Sequence, residues 1–163
     1  MDVKNIASSV GLPIAAAGLG SIATASGTRS AWYRHLSKPG FQPPAIVFPV
    51  VWTVLYAHTA IASAIAQDAM DDADARRYRI RLAVNMALNA GWCWTFFKAQ
   101  RPAPSIAVAG ALTASSIDLV RTAGRASRPA GGFLVPYTAW NGFATVLTTT
   151  LWRKNRHRPL RDS

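Results

Sequence analysis

The sequence predicts an all-α membrane protein, a single bundle of five transmembrane helices within residues 1–163. Three observations carry this prediction. Only 15% of the residues are charged and 50% are hydrophobic, against roughly 25% charged in ordinary soluble domains. The charges are segregated, so Asn5–Thr28, Pro39–Gln67 and Pro129–Trp152 contain no Asp, Glu, Lys or Arg. Each of these runs has the length of a membrane span, about 20 residues. Two shorter uncharged runs, Leu82–Phe97 and Pro102–Ile117, reach that length when Lys or Arg at their ends snorkel to the interface. The modest mean hydropathy, +0.13, averages over this segregation.

The first predicted helix covers residues 3–26 and is rich in Ala, Gly and Ser. Gly11, Ala15, Ala16 and Gly20 place small residues four apart, a spacing that admits a close neighbour in lipid. As a signal peptide it would have little basic n-region beyond Lys4, so a retained helix is expected. The second helix covers residues 45–67 and ends at the polar stretch "DAMDDADARR". The third covers residues 77–97 and ends at "KAQRPAP". The fourth covers residues 105–122 and contains Asp118, with Arg121 three positions on. That carboxylate reads either as half of a local Asp118–Arg121 pair at interface depth or as a gating or ligand contact. The fifth covers residues 132–152, followed by a basic tail over residues 153–163. The connections are short and show no repeat, so one domain is expected.

The net charge is +11. The basic residues lie in short loops and the tail, which is the pattern of membrane anchoring rather than of nucleic-acid binding. Eight Lys or Arg fall on the side of the N-terminus and ten on the other, which leans towards a cytoplasmic C-terminus. The single cysteine, Cys93, forms no intramolecular disulfide. Catalytic signatures such as HExxH, GxSxG or a P-loop are missing, and the chain has no Glu. No obligatory cofactor or metal is expected. His35, His58 and His157 are far apart; His58, inside the second helix, reads as a hydrogen-bonded structural residue or as a haem ligand.

The aromatic residues are more informative. Phe48, Trp52 and Tyr56 are spaced by four and form one stripe. Asn89, Trp92 and Phe96 share a helical face with Asn85, while Ala83, Ala87 and Gly91 form a small-residue ridge on the other side. The first face suits a ligand in the bundle interior; the second suits another helix, including one from a second copy. Phe133, Tyr137, Trp140 and Ala144 line a face of the fifth helix. Trp32 and Trp152 suit the interfacial belt. Trp52, Trp92 and Trp140 suit the interior, where their rings either pack or stack on a planar ligand. Asn89 supports the ligand reading, because a buried amide demands partners.

These residues resemble the TspO/MBR family of tryptophan-rich sensory proteins. The resemblance rests on Trp32-Tyr33, Leu36, Lys38-Pro39, Phe41, Pro43-Pro44, Phe48-Pro49, Trp52-Thr53 and Leu55-Tyr56. It continues with Asn89, Trp92 and Phe96-Phe97, then Val135-Pro136-Tyr137, Trp140 and Phe143-Ala144-Thr145. Order and spacing agree over about residues 30–154. The resemblance implies a five-helix bundle, commonly a homodimer, in a bacterial cell membrane. It implies that porphyrin, haem or another planar apolar ligand binds in a pocket closed by the first loop. Tyr33, Trp52, Asn89 and Trp140 match the family pocket, with Trp92 and Ala144 near it. Phe41 replaces a frequent loop Trp, and Ile46 replaces another. Thr149 stands where the family's sterol motif has a Tyr, so cholesterol binding is not expected. The expected ligand-binding set is Tyr33, Phe41, Phe48, Trp52, Tyr56, Asn89, Trp92, Trp140 and Ala144, in a sensing or stress role. Transport of porphyrins, with Asp118 and Arg121 as a gate, is one alternative. Light-dependent porphyrin degradation by Trp52 and Trp140 is the other.

Overall fold

A computed structural model of the chain describes residues 3–156. The helices in chain order are α1 (Val3–Thr28), α2 (Ala31–His35), α3 (Val47–Asp68), α4 (Asp72–Cys93), α5 (Pro102–Ala126) and α6 (Arg128–Asn155). A π-helical turn, Trp94–Lys98, continues α4. The described residues contain no strand. Most of the basic tail, with His157, lies outside the described residues.

The five long helices form a closed ring in which α1 touches α3, α3 touches α6, α6 touches α5, α5 touches α4, and α4 returns to α1. Three of them, α1, α3 and α5, are long and apolar enough to cross a membrane. The other two are as long but less apolar. The first turns of α4 carry Asp72, Asp74, Arg76, Arg77, Arg79 and Arg81. Glycine, threonine and asparagine dilute α6.

Helix ends differ from the sequence expectation where a cap or an N-terminal proline sets the boundary. The polar stretch after α3 shrinks to a short turn, because Asp71 caps α4 by accepting a bond from the Asp74 N–H at 2.8 Å. Asp72 and Asp74 then favour the positive end of the helix dipole. Pro102 and Pro129 stand in the first turns of α5 and α6, where the missing N–H costs no helical bond. Both helices therefore start earlier than the expected residues 105 and 132. The short α2 was not foreseen; its N-cap, Ser30, accepts from the Tyr33 N–H at 3.2 Å.

Polar contacts fasten the end of the bundle away from α2. Gln67 donates to Ser9 at 2.7 Å, Arg79 donates to Asn5 at 2.7 Å, and the Ser63 and Tyr78 hydroxyls meet at 3.1 Å. The expected Asp118–Arg121 pair is corrected: Asp118 pairs with Arg81 of α4, tying α5 to its neighbour. Both side chains are about half exposed, on the outside of the ring.

At the middle of the ring, a polar chain replaces apolar packing. Tyr56 donates to Asn89 at 2.8 Å, Asn89 donates to the Tyr137 hydroxyl at 3.2 Å, and Tyr137 donates to Asn85 at 2.7 Å. Asn85 and Asn141 then donate to Ser116 at 3.0 and 2.8 Å. Asn85, Asn89, Ser116 and Tyr137 are fully buried. This chain joins α3, α4, α5 and α6, and low local dielectric strengthens each bond.

Candidate functional site

A cavity of about 450 Å³ lies between α1 and α3 in the half of the bundle beneath α2. One wall is α1, which contributes Ala17, Gly20, Ser21, Thr24, Ala25 and Thr28. The opposite wall is the α3 stripe of Phe48, Trp52 and Tyr56. Trp92 and Cys93 of α4, Phe96 and Phe97 of the π turn, and Leu147, Thr148 and Leu151 of α6 complete the inner surface. Tyr33, Gln42 and Ala45 cover it from the lid, the segment of residues 29–46 that joins α1 to α3 and contains α2.

Each wall has a local cause. Small residues on α1 leave space where larger side chains would fill it. Gly20 also lets α1 approach α4, since a Cβ there would stand 3.2 Å from the Cys93 sulfur. The four-residue spacing on α3 stacks Trp52 on Tyr56, with centroids 5.4 Å apart and planes 28° apart. The π turn inserts an extra residue per turn and brings Phe96 and Phe97 both inward. The Trp92 indole donates to Thr148 at 3.2 Å, so its N–H is satisfied and its orientation fixed.

The lid is stiff and latched. Prolines 39, 43 and 44 fix backbone φ and remove amide donors. Leu36 buries against Phe96, Leu147 and Leu151. Asn155 at the end of α6 accepts from the Ser37 N–H at 2.9 Å and donates to the Ser37 carbonyl at 3.2 Å. Gln42 donates to the Tyr33 hydroxyl at 3.3 Å. Burial pushes the Tyr33 phenol above its ordinary pKa, partly offset by the Gln42 bond, so it keeps its proton at neutral pH. Ser21 and Ala25 of α1, with Pro49 and Thr53 of α3, line the cavity and are also exposed, so the cavity opens sideways between these helices.

Of the residues singled out from sequence, Tyr33, Phe48, Trp52, Tyr56 and Trp92 line this cavity. Asn89 stands behind Tyr56 and holds its hydroxyl. Trp140 stands behind the α3 wall, edge-on to Trp52 at 6.5 Å and to Phe48 at 5.9 Å. Ala144 is buried against Trp92 and Ala23. Phe41 is half exposed and meets Phe143 at 6.3 Å, outside the cavity. His58 lies elsewhere, in a shallow groove between α3 and α6 beside Phe133. Among the described residues no cluster of His, Cys, Asp or Glu could hold a metal ion. Sequence reasoning missed the α1 wall, Gln42, Cys93 and the α6 contribution. Only the run of small residues on the first helix signalled that wall.

The family model for the TspO/MBR family matches residues 9–153. A tryptophan-rich protein TspO of Chlorobaculum tepidum is 30% identical, covering 94% of this chain and 98% of its own. A tryptophan-rich sensory protein of Cereibacter sphaeroides is 30% identical over 78% of this chain and 79% of its own. The human translocator protein is 29% identical over 76% of this chain and 75% of its own.

Proposed function

The chain belongs to the TspO/MBR family of membrane proteins, and from that premise we propose that it binds a planar tetrapyrrole, porphyrin or haem, in the cavity under the lid. The observation that carries this reading is the stacked Trp52–Tyr56 wall of a mostly apolar cavity. Flat aromatic faces favour a flat aromatic ligand. The volume, about 450 Å³, lies in the range of small-molecule sites, roughly 300–1,000 Å³. A larger macrocycle would extend through the side opening between α1 and α3.

In this reading Tyr33, Phe48, Trp52, Tyr56 and Trp92 touch the ligand. Asn89, Trp140 and Ala144 hold those residues in place. The five long helices all span the membrane, α4 and α6 included, because each runs antiparallel to a neighbour of spanning length. The membrane is a bacterial cell membrane, and the role is sensing or stress response. A second copy docks on the outer face of α4 at Ala83 and Ala87, which are half-buried and exposed. Gly91 instead turns towards Val108 of α5.

The test is tryptophan-fluorescence titration of the detergent-solubilised protein with protoporphyrin. Trp52→Ala should weaken binding about tenfold, the size expected when one stacked ring is lost. If the variant binds as tightly as the unchanged protein, the cavity is not the site.

A further inference from the structure

We propose that the groove between α3 and α6 is a second binding site, which takes the hydroxylated ring of a lipid-soluble phenol or quinol from the bilayer. His58, Pro129, Gly132, Phe133 and Pro136 line it, and none of them lines the cavity under the lid. The proposal therefore stands apart from the tetrapyrrole reading.

The groove opens to lipid rather than to the bundle interior. Val54 and Ile61, one turn either side of His58, are exposed. So are Pro129, Gly132, Phe133 and Pro136 on α6. His58 stands near the middle of α3, a helix of spanning length, so its ring lies within the hydrocarbon layer. A polar group at that depth meets no water, and lipid tails offer it no hydrogen bond.

Two polar groups of the groove lack their partners in the protein. The His58 Nδ1 is buried with no hydrogen bond. The other group is main chain. Pro136 stands inside α6 and has no N–H, so the Gly132 carbonyl, four residues back, loses its helical donor. Gly132 has no side chain, so what it brings to the groove is backbone. A hydroxyl is the simplest group that serves both. It donates to the carbonyl while its oxygen accepts from the His58 Nδ1–H. A ketone or an ether only accepts and leaves the carbonyl unmet.

Size and shape select the body that carries the hydroxyl. The groove holds about 270 Å³, just under the range of drug-sized sites, roughly 300–1,000 Å³. It takes one ring and leaves any tail in the surrounding lipid. The exposed Phe133 ring lies 5.8 Å from the His58 ring, with planes 56° apart. A flat ring packs on such faces with the geometry that aromatic pairs prefer, and an alkyl chain does not. Gly132 makes the room, since a Cβ there would meet nothing within 4 Å.

The test titrates para-nonylphenol and its methyl ether, para-nonylanisole, into protein in phosphatidylcholine nanodiscs. The histidines are isotope-labelled, and NMR follows their ring signals. His58 is identified by the signal lost in His58→Phe, and His35 in the lid serves as the internal control. The phenol should shift His58 and not His35. The ether should bind about tenfold more weakly, as expected when the hydroxyl's bonds to two unpaired groups are lost. Decanol, a hydroxyl without a ring, should bind severalfold more weakly than the phenol. Gly132→Ala puts a methyl into the groove and should weaken the phenol about tenfold, without lowering Tm or changing protoporphyrin binding. Equal affinities for phenol and ether overturn the proposal, and the groove is then a plain apolar crevice. Decanol binding as tightly as the phenol overturns the aromatic assignment. No shift of His58 with the phenol, or a Gly132→Ala protein that binds it unchanged, overturns the site itself. Protoporphyrin binding is read separately in each case, so failure here leaves the cavity reading standing.

Discussion

Gly27→Ala tests the close approach of α1 to the π turn, two elements that form the cavity wall. A Cβ at Gly27 would lie 2.5 Å from the Phe97 Cβ and 2.6 Å from its carbonyl oxygen. Neither atom belongs to a rotatable side-chain tip, so α1 and the π turn must separate. Ordinary contact needs about 3.5 Å or more, so the retreat is about 1 Å. Overpacking of this kind costs about 1–3 kcal/mol. Alanine's better helix propensity offsets up to about 1 kcal/mol, and less here because Gly27 is in the last turn. The net cost is about 1–2 kcal/mol, equivalent to a fall in Tm of about 3–6 °C for a chain of this size. Gly18→Ala is the control, since a Cβ there meets nothing within 4 Å, and it should hold or raise Tm. Thermal unfolding in detergent, followed by tryptophan fluorescence, reads both. Thr28 and Phe97 both line the cavity, so Gly27→Ala should also weaken protoporphyrin binding. A Gly27→Ala protein that melts with or above Gly18→Ala would refute the contact and the packing argument built on it.

Three further outcomes are expected. Asn89→Leu strands the Tyr56 hydroxyl and should lower stability by about 1–3 kcal/mol; an unchanged denaturation midpoint would show that the polar chain is not holding the ring. Asn155→Ala removes both bonds to Ser37 and should raise the ligand dissociation rate severalfold in stopped flow with little change in Tm, whereas an unchanged rate would show that α6 does not latch the lid. Gln100 sits at φ 54°, a conformation costing about 1–2 kcal/mol for a residue with a Cβ, so Gln100→Gly should raise Tm by a few degrees; a fall would mean that its side chain has a compensating role.

How much was legible in the sequence follows from which physical signal marked each part. Uncharged runs marked the long helices, because avoidance of charge in lipid acts on every residue of a span. Helix ends were less legible. Asp71 and Pro102 act through one cap or one missing N–H, and a hydropathy average hides both. The α3 stripe was legible because its spacing alone puts three rings on one side. Behind it, Asn89 and Trp140 shared faces with cavity residues but sit a layer deeper, and spacing does not distinguish depth. The π turn was not legible at all. A spacing of 3.6 predicts one inward position where the structure turns both Phe96 and Phe97 inward. The Asp118–Arg121 assignment failed for a related reason: a neighbour at i+3 is visible in sequence, and Arg81 on another helix is not.

The position of the cavity follows from the polar chain at the centre of the ring. A helical bundle with five long members leaves axial space, and the natural expectation is a ligand on that axis, with Trp52, Asn89, Trp92 and Trp140 converging on it. Here Asn85, Asn89, Ser116 and Tyr137 occupy the axis with their own hydrogen bonds and are fully buried. An intruding ligand would have to break several bonds in a medium where each lost bond goes unpaid by water. Space is cheaper at the α1 side, where Ala17, Gly20, Ser21 and Ala25 present little bulk and no such bonds to the interior. The chain therefore moves its cavity off the axis, keeps Tyr56 as the one residue common to both, and makes Asn89 a support for the pocket wall. A ligand that pushes on the Tyr56 ring pulls directly on Asn89, and through it on Tyr137 of α6 and Asn85 of α4. Through Asn85 the same chain extends to Ser116 of α5, the one long helix that lines no part of the cavity, so a displaced Tyr56 ring would be felt there as well.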